Sequence, residues 1–173
     1  MEQDFVTTTD TGKGPFVIMP EALLDHWQGH RKLTRKMIEA FPEDKFFNYS
    51  IGGMRPFAEL VMEMTRLAAL GMHGVSTGDW TTREDLRRYT EAATASKAEI
   101  LALWDEVTEL INRLWPTIKA GDFQRVDLAF GLYELPVYSI ILYWIDNEVH
   151  HRGQAYVYLR SLEIEPPPFW ERW

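Results

Sequence analysis

Two histidines, two acids and two amides stand within one short stretch, Asp146-Asn147-Glu148-Val149-His150-His151-Arg152-Gly153-Gln154. Imidazole and carboxylate groups carry protons near neutral pH and ligate divalent ions, so this is where chemistry is expected. The flanking apolar residues Val137, Ile140, Ile141, Trp144, Ala155, Tyr158, Leu159 and Leu162 fall on one arc at about 100° per residue, which predicts a buried helix. His151 lies near the middle of that arc, Glu148 within it and Asn147 at its edge; His150 points away. A carboxylate or imidazole on a core face is costly to desolvate and requires a partner, a proton or a metal. His151 is therefore either a core histidine satisfied by hydrogen bonds or a ligand.

Spacing narrows the second option. Glu148 and His151 form Glu-x-x-His, which in carboxylate-bridged bundles supplies two metal ligands from one helix. A dinuclear site needs a second such pair, and the sequence has none. Asn147 and His151 form the other pair, one turn apart. An amide oxygen is a weak ligand beside imidazole, so Asn147 would be a poor third ligand or would hold a water. Glu63 falls on the apolar arc of another helix, either as a ligand or as an edge acid paired with Arg66 or Arg152. His26 and His30 are also one turn apart, but beside Arg31 and Lys32 they read as surface residues. Arg152 is expected to hold a carboxylate in place.

The elements that must position these residues are helices. The first is predicted from Pro20 to Phe41, the second from Pro56 to Met72, the third from Arg83 to Leu114 and the last from Pro136 to Leu162. Thr81-x-x-Glu84, a capping-box pattern, and Thr82-x-x-Asp85 both precede the third, which has Leu86, Tyr89, Ala93 and Ile100 on its buried side. His73 closes the second. Asp127 to Leu135 suggests a short extended piece, and the tail Phe169-Trp170 is expected to fold back on the helices. Residues 1–18 read as an extended lead-in and 19–173 as a single all-α domain, a four-helix bundle.

Composition excludes several functions. A net charge of −8 and the lack of a basic stripe argue against nucleic acid. The chain contains no cysteine, which removes disulfides, thiolate metal sites and cysteine nucleophiles. No apolar run approaches the roughly 20 residues a bilayer requires, so no membrane is expected. The acidic, Thr-rich start is unlike a signal peptide, and a cytoplasmic chain is the expectation. No phosphate loop, nucleophile elbow or dinucleotide fingerprint is present.

His150-His151-Arg152-Gly153-Gln154, then Tyr156-x-Tyr158-Leu159-Arg160 and Pro166-Pro167, resembles the closing helix of the DinB/YfiT-like superfamily. Phe57-Ala58-Glu59-Leu60 is similar to the run that leads to a ligand on that family's second helix. The resemblance covers roughly residues 20 to 168. It implies a four-helix bundle of up-down-down-up topology, often a homodimer, with one zinc or nickel ion held by three histidines. It also implies thiol-dependent transferase, isomerase or hydrolase chemistry in some members, through a metal-activated water or thiol. Carried over by position, the three ligand sites are Glu63, Asn147 and His151, with only His151 matching and Glu148 as a substitute ligand. Oxygen ligands shift the preference toward harder ions such as manganese. The alternative is a noncatalytic, stress-related bundle whose metal site has degenerated. The small-molecule substrate is not named by the sequence.

Overall fold

Proline marks the start of three of the four long helices in the computed structural model, which describes residues 18–81, 83–90 and 96–172. Residues 1–17 of the expected lead-in, and Thr82 and Ala93 of the expected third helix, lie outside the described residues. Pro20 occupies the first turn of α1 (Pro20–Ala40), where its missing N–H has no bond to lose. Phe41 leaves the helix at ψ 132°, the extended conformation imposed on a residue before proline, here Pro42. A single turn, α2 (Glu43–Phe46), then carries Phe46 into the core.

Pro56 precedes α3 (Phe57–Thr77), which runs one turn past His73 rather than ending beside it. The stop is Gly78, whose φ of 77° lets its N–H turn back onto the Gly74 carbonyl. The expected third helix is in fact two pieces, a correction to the continuous reading. Glu84–Tyr89 is a tight 3-10 segment, and α4 (Lys97–Leu114) begins only at Ser96. Ser96 and Glu99 form the reciprocal capping box there, while Thr81 turns its hydroxyl to Asp79. The cap that forms is the one that starts the long apolar stripe of Ile100, Trp104, Val107 and Ile111.

The extended piece is present and larger than expected. Strands β1 (Val126–Ala129) and β2 (Tyr133–Pro136) pair antiparallel, Val126 opposite Pro136 and Ala129 opposite Tyr133. Asp127 accepts from the Trp80 indole, and Arg125 donates to the Val75 carbonyl, so the hairpin is fastened to the end of α3. Pro136 then caps α5 (Val137–Ser161), which ends where Glu163 adopts φ 61° and the Ile164 N–H reaches the Leu159 carbonyl.

α1 packs against α4 and α5, and α3 packs against the same two helices. The apolar core is divided in two. One half gathers Trp27, Met72, Val107, Ile111 and Trp144; the other gathers Phe41, Phe46, Phe57, Trp104 and Tyr158. Between them each long helix contributes polar side chains: His30, Arg31 and Thr34 from α1, Glu63 from α3, Thr108 from α4, and Asn147, Glu148, His151 and Arg152 from α5. In the first half, α3 comes so near α5 that a Cβ on Gly71 would lie 2.2 Å from the Trp144 ring. Among the described residues no helix is long and apolar enough to cross a membrane.

Candidate functional site

One turn of α5 sets Asn147 and His151 on the face toward α3, and Glu63 meets them from the other side. Glu63 Oε1 lies 3.0 Å from His151 Nε2 and 3.2 Å from Asn147 Nδ2; Asn147 Nδ2 lies 3.2 Å from His151 Nε2. The three side chains therefore converge on one point, as the sequence reading required. Behind the ring, His151 Nδ1 is 2.8 Å from Gln154 Oε1. An oxygen there fixes the proton on Nδ1 and leaves Nε2 as a lone pair, or as a second N–H when the ring is charged.

Glu63 is ionised. Burial raises its pKa, but hydrogen bonds from Arg55, His151 and Asn147 outweigh that and hold it at about 2. Arg55 supplies the strongest of these, donating to Oε2 at 2.5 Å. This corrects the expected pairing with Arg66 or Arg152. Arg55 precedes the helix in a loop whose place is set by α5, since the Tyr158 hydroxyl donates to the Arg55 carbonyl at 2.7 Å. Asn147 Oδ1 is buried and has no hydrogen-bond partner among the described residues. An orphaned oxygen beside a carboxylate and an imidazole is a polar group in want of a positive charge or a donor.

Glu148 does not join them. It lies about 100° further round the helix than Asn147, facing α1. Thr34 donates to its Oε1 at 2.6 Å, Arg152 stands 3.6 Å away, and only 2% of Glu148 is exposed. To act as a substitute ligand it would have to abandon these partners. Burial pushes its carboxyl up, against the pull of Arg31, Thr34 and Arg152. The expected role of Arg152, holding a carboxylate, is met at Glu148.

His30 is buried, not on the surface. Its Nδ1 accepts from Arg152 at 2.7 Å, and burial with the nearby Arg152, His26 and Arg172 charges lowers its pKa to about 3. His26 is exposed and lies with Nε2 3.2 Å from that of His30. Arg31 is fully enclosed, bonded to Thr108 and the Trp104 carbonyl and stacked 3.9 Å over the Trp104 ring. Sequence periodicity placed Arg31 among surface charges; only the neighbouring α4 residues reveal its partners.

Two cavities border Glu63 on its outer side and share Glu63 and Arg66 in their walls. One, of about 480 Å³, also borders Arg55, Glu59, Met62 and Tyr89. The other, of about 220 Å³, is walled by Leu67, Phe130, Tyr133, Tyr143 and Trp144. Gln154, Arg55 and Arg66 are thus site residues that the sequence did not assign. The hydrogen-bond need of a ligating histidine could have nominated Gln154; nothing local could have nominated Arg55. Among the described residues no three or more His, Cys, Asp or Glu side chains gather to hold a metal, so any third protein ligand beside Glu63 and His151 is the Asn147 amide.

The chain is similar in structure to a DinB-like protein from Bacillus subtilis, with a TM-score of 0.67 at 18% identity over 85% of this chain and 96% of that one. A DinB-like protein from Bacillus cereus ATCC 10987 gives a TM-score of 0.64 at 15% identity over 86% and 95% of the two chains. These likenesses establish a shared fold. No curated protein matches the sequence. The sequence profile of the DinB family matches residues 9–173, nearly the whole length, and so the chain belongs to the DinB family.

Proposed function

We propose that the chain is a divalent-metal-dependent enzyme of the DinB type, a four-helix bundle of up-down-down-up order in which Glu63, Asn147 and His151 hold the ion. The observation that carries this is the triangle of their head atoms, with edges of 3.0, 3.2 and 3.2 Å. Ligands at about 2.1 Å from one ion, set at right angles, stand roughly 3.0 Å apart. A half-turn of the Asn147 side-chain amide exchanges its two heads and presents Oδ1, now an orphan, in place of Nδ2. That oxygen could not rest beside the Glu63 carboxylate without a cation between them.

The residues around the triangle suit it to this task. Gln154 holds the proton on His151 Nδ1, so Nε2 is the nitrogen that would ligate once the proton it shares with Glu63 has left. Arg55 occupies Glu63 Oε2, leaving Oε1 to face the other two. The low pKa of Glu63 means that no proton has to leave before it can coordinate. One carboxylate oxygen, one amide oxygen and one imidazole form a harder donor set than three histidines, which favours manganese relative to a three-histidine site. When bound, such an ion lowers the pKa of a water or thiol toward neutrality and so generates a nucleophile. Both cavities open beside Glu63, which gives a reactant two approaches to the same point.

A noncatalytic reading is favoured by one observation. As placed, the Asn147 amide donates to Glu63 and faces His151, so the three close on one another through hydrogen bonds alone. Elemental analysis of protein purified without a histidine tag separates the two readings. Stoichiometric metal, regained after chelation with manganese, zinc or nickel and lost in His151→Ala, supports the enzyme. Failure to take up any of the three ions between about pH 6 and 8 leaves the noncatalytic bundle.

A further inference from the structure

Glu63 accounts for one of the two charges facing the smaller cavity; Arg66 is the other. Arg55 already balances Glu63 through its Oε2, whereas Arg66 makes no hydrogen bond or ion pair among the described residues. An uncommitted guanidinium at the wall of a concave site is a ready partner for an oxyanion, since its planar fork matches a carboxylate. The remaining walls are apolar and largely aromatic: Leu67 from α3, Phe130 and Tyr133 from the hairpin, Tyr143 and Trp144 from α5.

Two features mark this pocket as built for an apolar guest. Phe130 holds φ 54°, a conformation that a bulky side chain rarely adopts, and its ring packs edge-on against Trp80 at 5.1 Å. Tyr133 and Tyr143 stack at 6.5 Å while each keeps 55% of its surface exposed, so two rings stand open to a third. At about 220 Å³ the space suits a single ring with a short chain and excludes a nucleotide.

We propose that this cavity takes a small carboxylic acid with an aromatic or similarly compact apolar body. Its ring rests among Phe130, Tyr133, Tyr143 and Trp144, and its carboxylate meets Arg66 beside the Glu63–His151 pair. As a substrate class this rests on the metal-centre reading above; as a binding site it does not.

The test is a titration of the full-length protein with 3-phenylpropionate, followed by tryptophan fluorescence and calorimetry, because Trp144 lines the wall. The amide of the same acid and propionate alone serve as comparisons. 3-Phenylpropionate is expected to bind, with each comparison compound weaker by about tenfold or more, the worth of one charged hydrogen bond or of one buried ring. Arg66→Gln should weaken 3-phenylpropionate by a similar factor, Arg66→Lys by less, and Tyr143→Ala should weaken the acid and its amide alike. Arg66 is exposed, so these variants are expected to melt as the parent does. Equal binding of acid and amide, no binding of the acid in the millimolar range, or an Arg66→Gln variant that binds normally would overturn the proposal. Metal uptake by the unsubstituted protein, measured beside the titration, distinguishes the two readings. Binding that persists in a protein that never takes up metal sinks the metal centre alone; a loaded protein that ignores the acid sinks this site alone.

Discussion

α5 carries polar clusters on two neighbouring faces, and they are built to different ends. Toward α1, Glu148, Arg152, His30, Arg31 and Thr34 are all within 6% of complete burial. Both carboxylate and guanidinium groups there are bound by hydroxyls, carbonyls or an aromatic face. Toward α3, Glu63 keeps 20% of its side chain exposed beside two cavities, and Asn147 leaves an oxygen unbonded. The closed cluster ties α1, α4 and α5 together. The open one has unused bonding capacity where a reactant can arrive. The same residue types on the same helix thus divide between a closed set of contacts and an open one, according to what the facing helix supplies.

The contrast is most exposed to Arg152→Ala. Removing that guanidinium leaves Glu148 buried with Thr34 as its near partner, and a loss of about 3–5 kcal/mol in urea unfolding is expected. Glu63→Ala should cost no more than about 1 kcal/mol, because its partner Arg55 is half exposed, yet it should abolish metal uptake. Comparable losses from the two variants would erase the distinction. Asn147→His comes next: replacing an amide with imidazole should tighten zinc or nickel by about tenfold or more in competition with a chromophoric chelator. An unchanged affinity would remove Asn147 from the ligand set.

Acid separates the clusters at different pH. His30 is held to about 3 against an ordinary 6.5, so the unfolded chain takes that proton first. Its stabilising contribution is whole above 6.5 and is lost as pH falls toward 3. Glu63, held at about 2 against an ordinary 4.5, contributes fully above 4.5 and is lost only as pH falls toward 2. Urea midpoints across this range should show two limbs. His30→Gln should flatten the upper and Glu63→Gln the lower; loss of both limbs in either variant contradicts the separation. The smallest effect is expected at Ser96→Ala, about 1 kcal/mol from the lost cap of α4, with metal uptake unchanged.

Much of this was legible in the sequence because helix periodicity reports which residues share a face. It brought Asn147 and His151 onto one side of α5 and put Glu63 on the inward arc of α3, and the fold joins them. What periodicity does not report is which neighbour a polar residue will meet. Glu148 looked equivalent to Asn147 as a ligand, and only the Thr34 hydroxyl on α1 decides otherwise. His30 read as a surface residue because its neighbours in sequence are charged, but Arg31 itself is buried against α4. The third helix was drawn as continuous since its apolar spacing suited a helix throughout. Ser96-x-x-Glu99 is itself a local capping-box pattern, and it is the one that marks where α4 starts.

The missing side chain at Gly71 has a mechanical consequence. It stands two turns along α3 from Glu63, and the indole it touches stands two turns along α5 from His151. Backbone against ring acts there as a spacer gauge, setting the gap between the helices at a fixed contact. The distances of Glu63 from Asn147 and His151 at the other end of that span inherit the setting. A single added methyl group would pry the two rods apart at the gauge and detune the centre without touching any of its atoms.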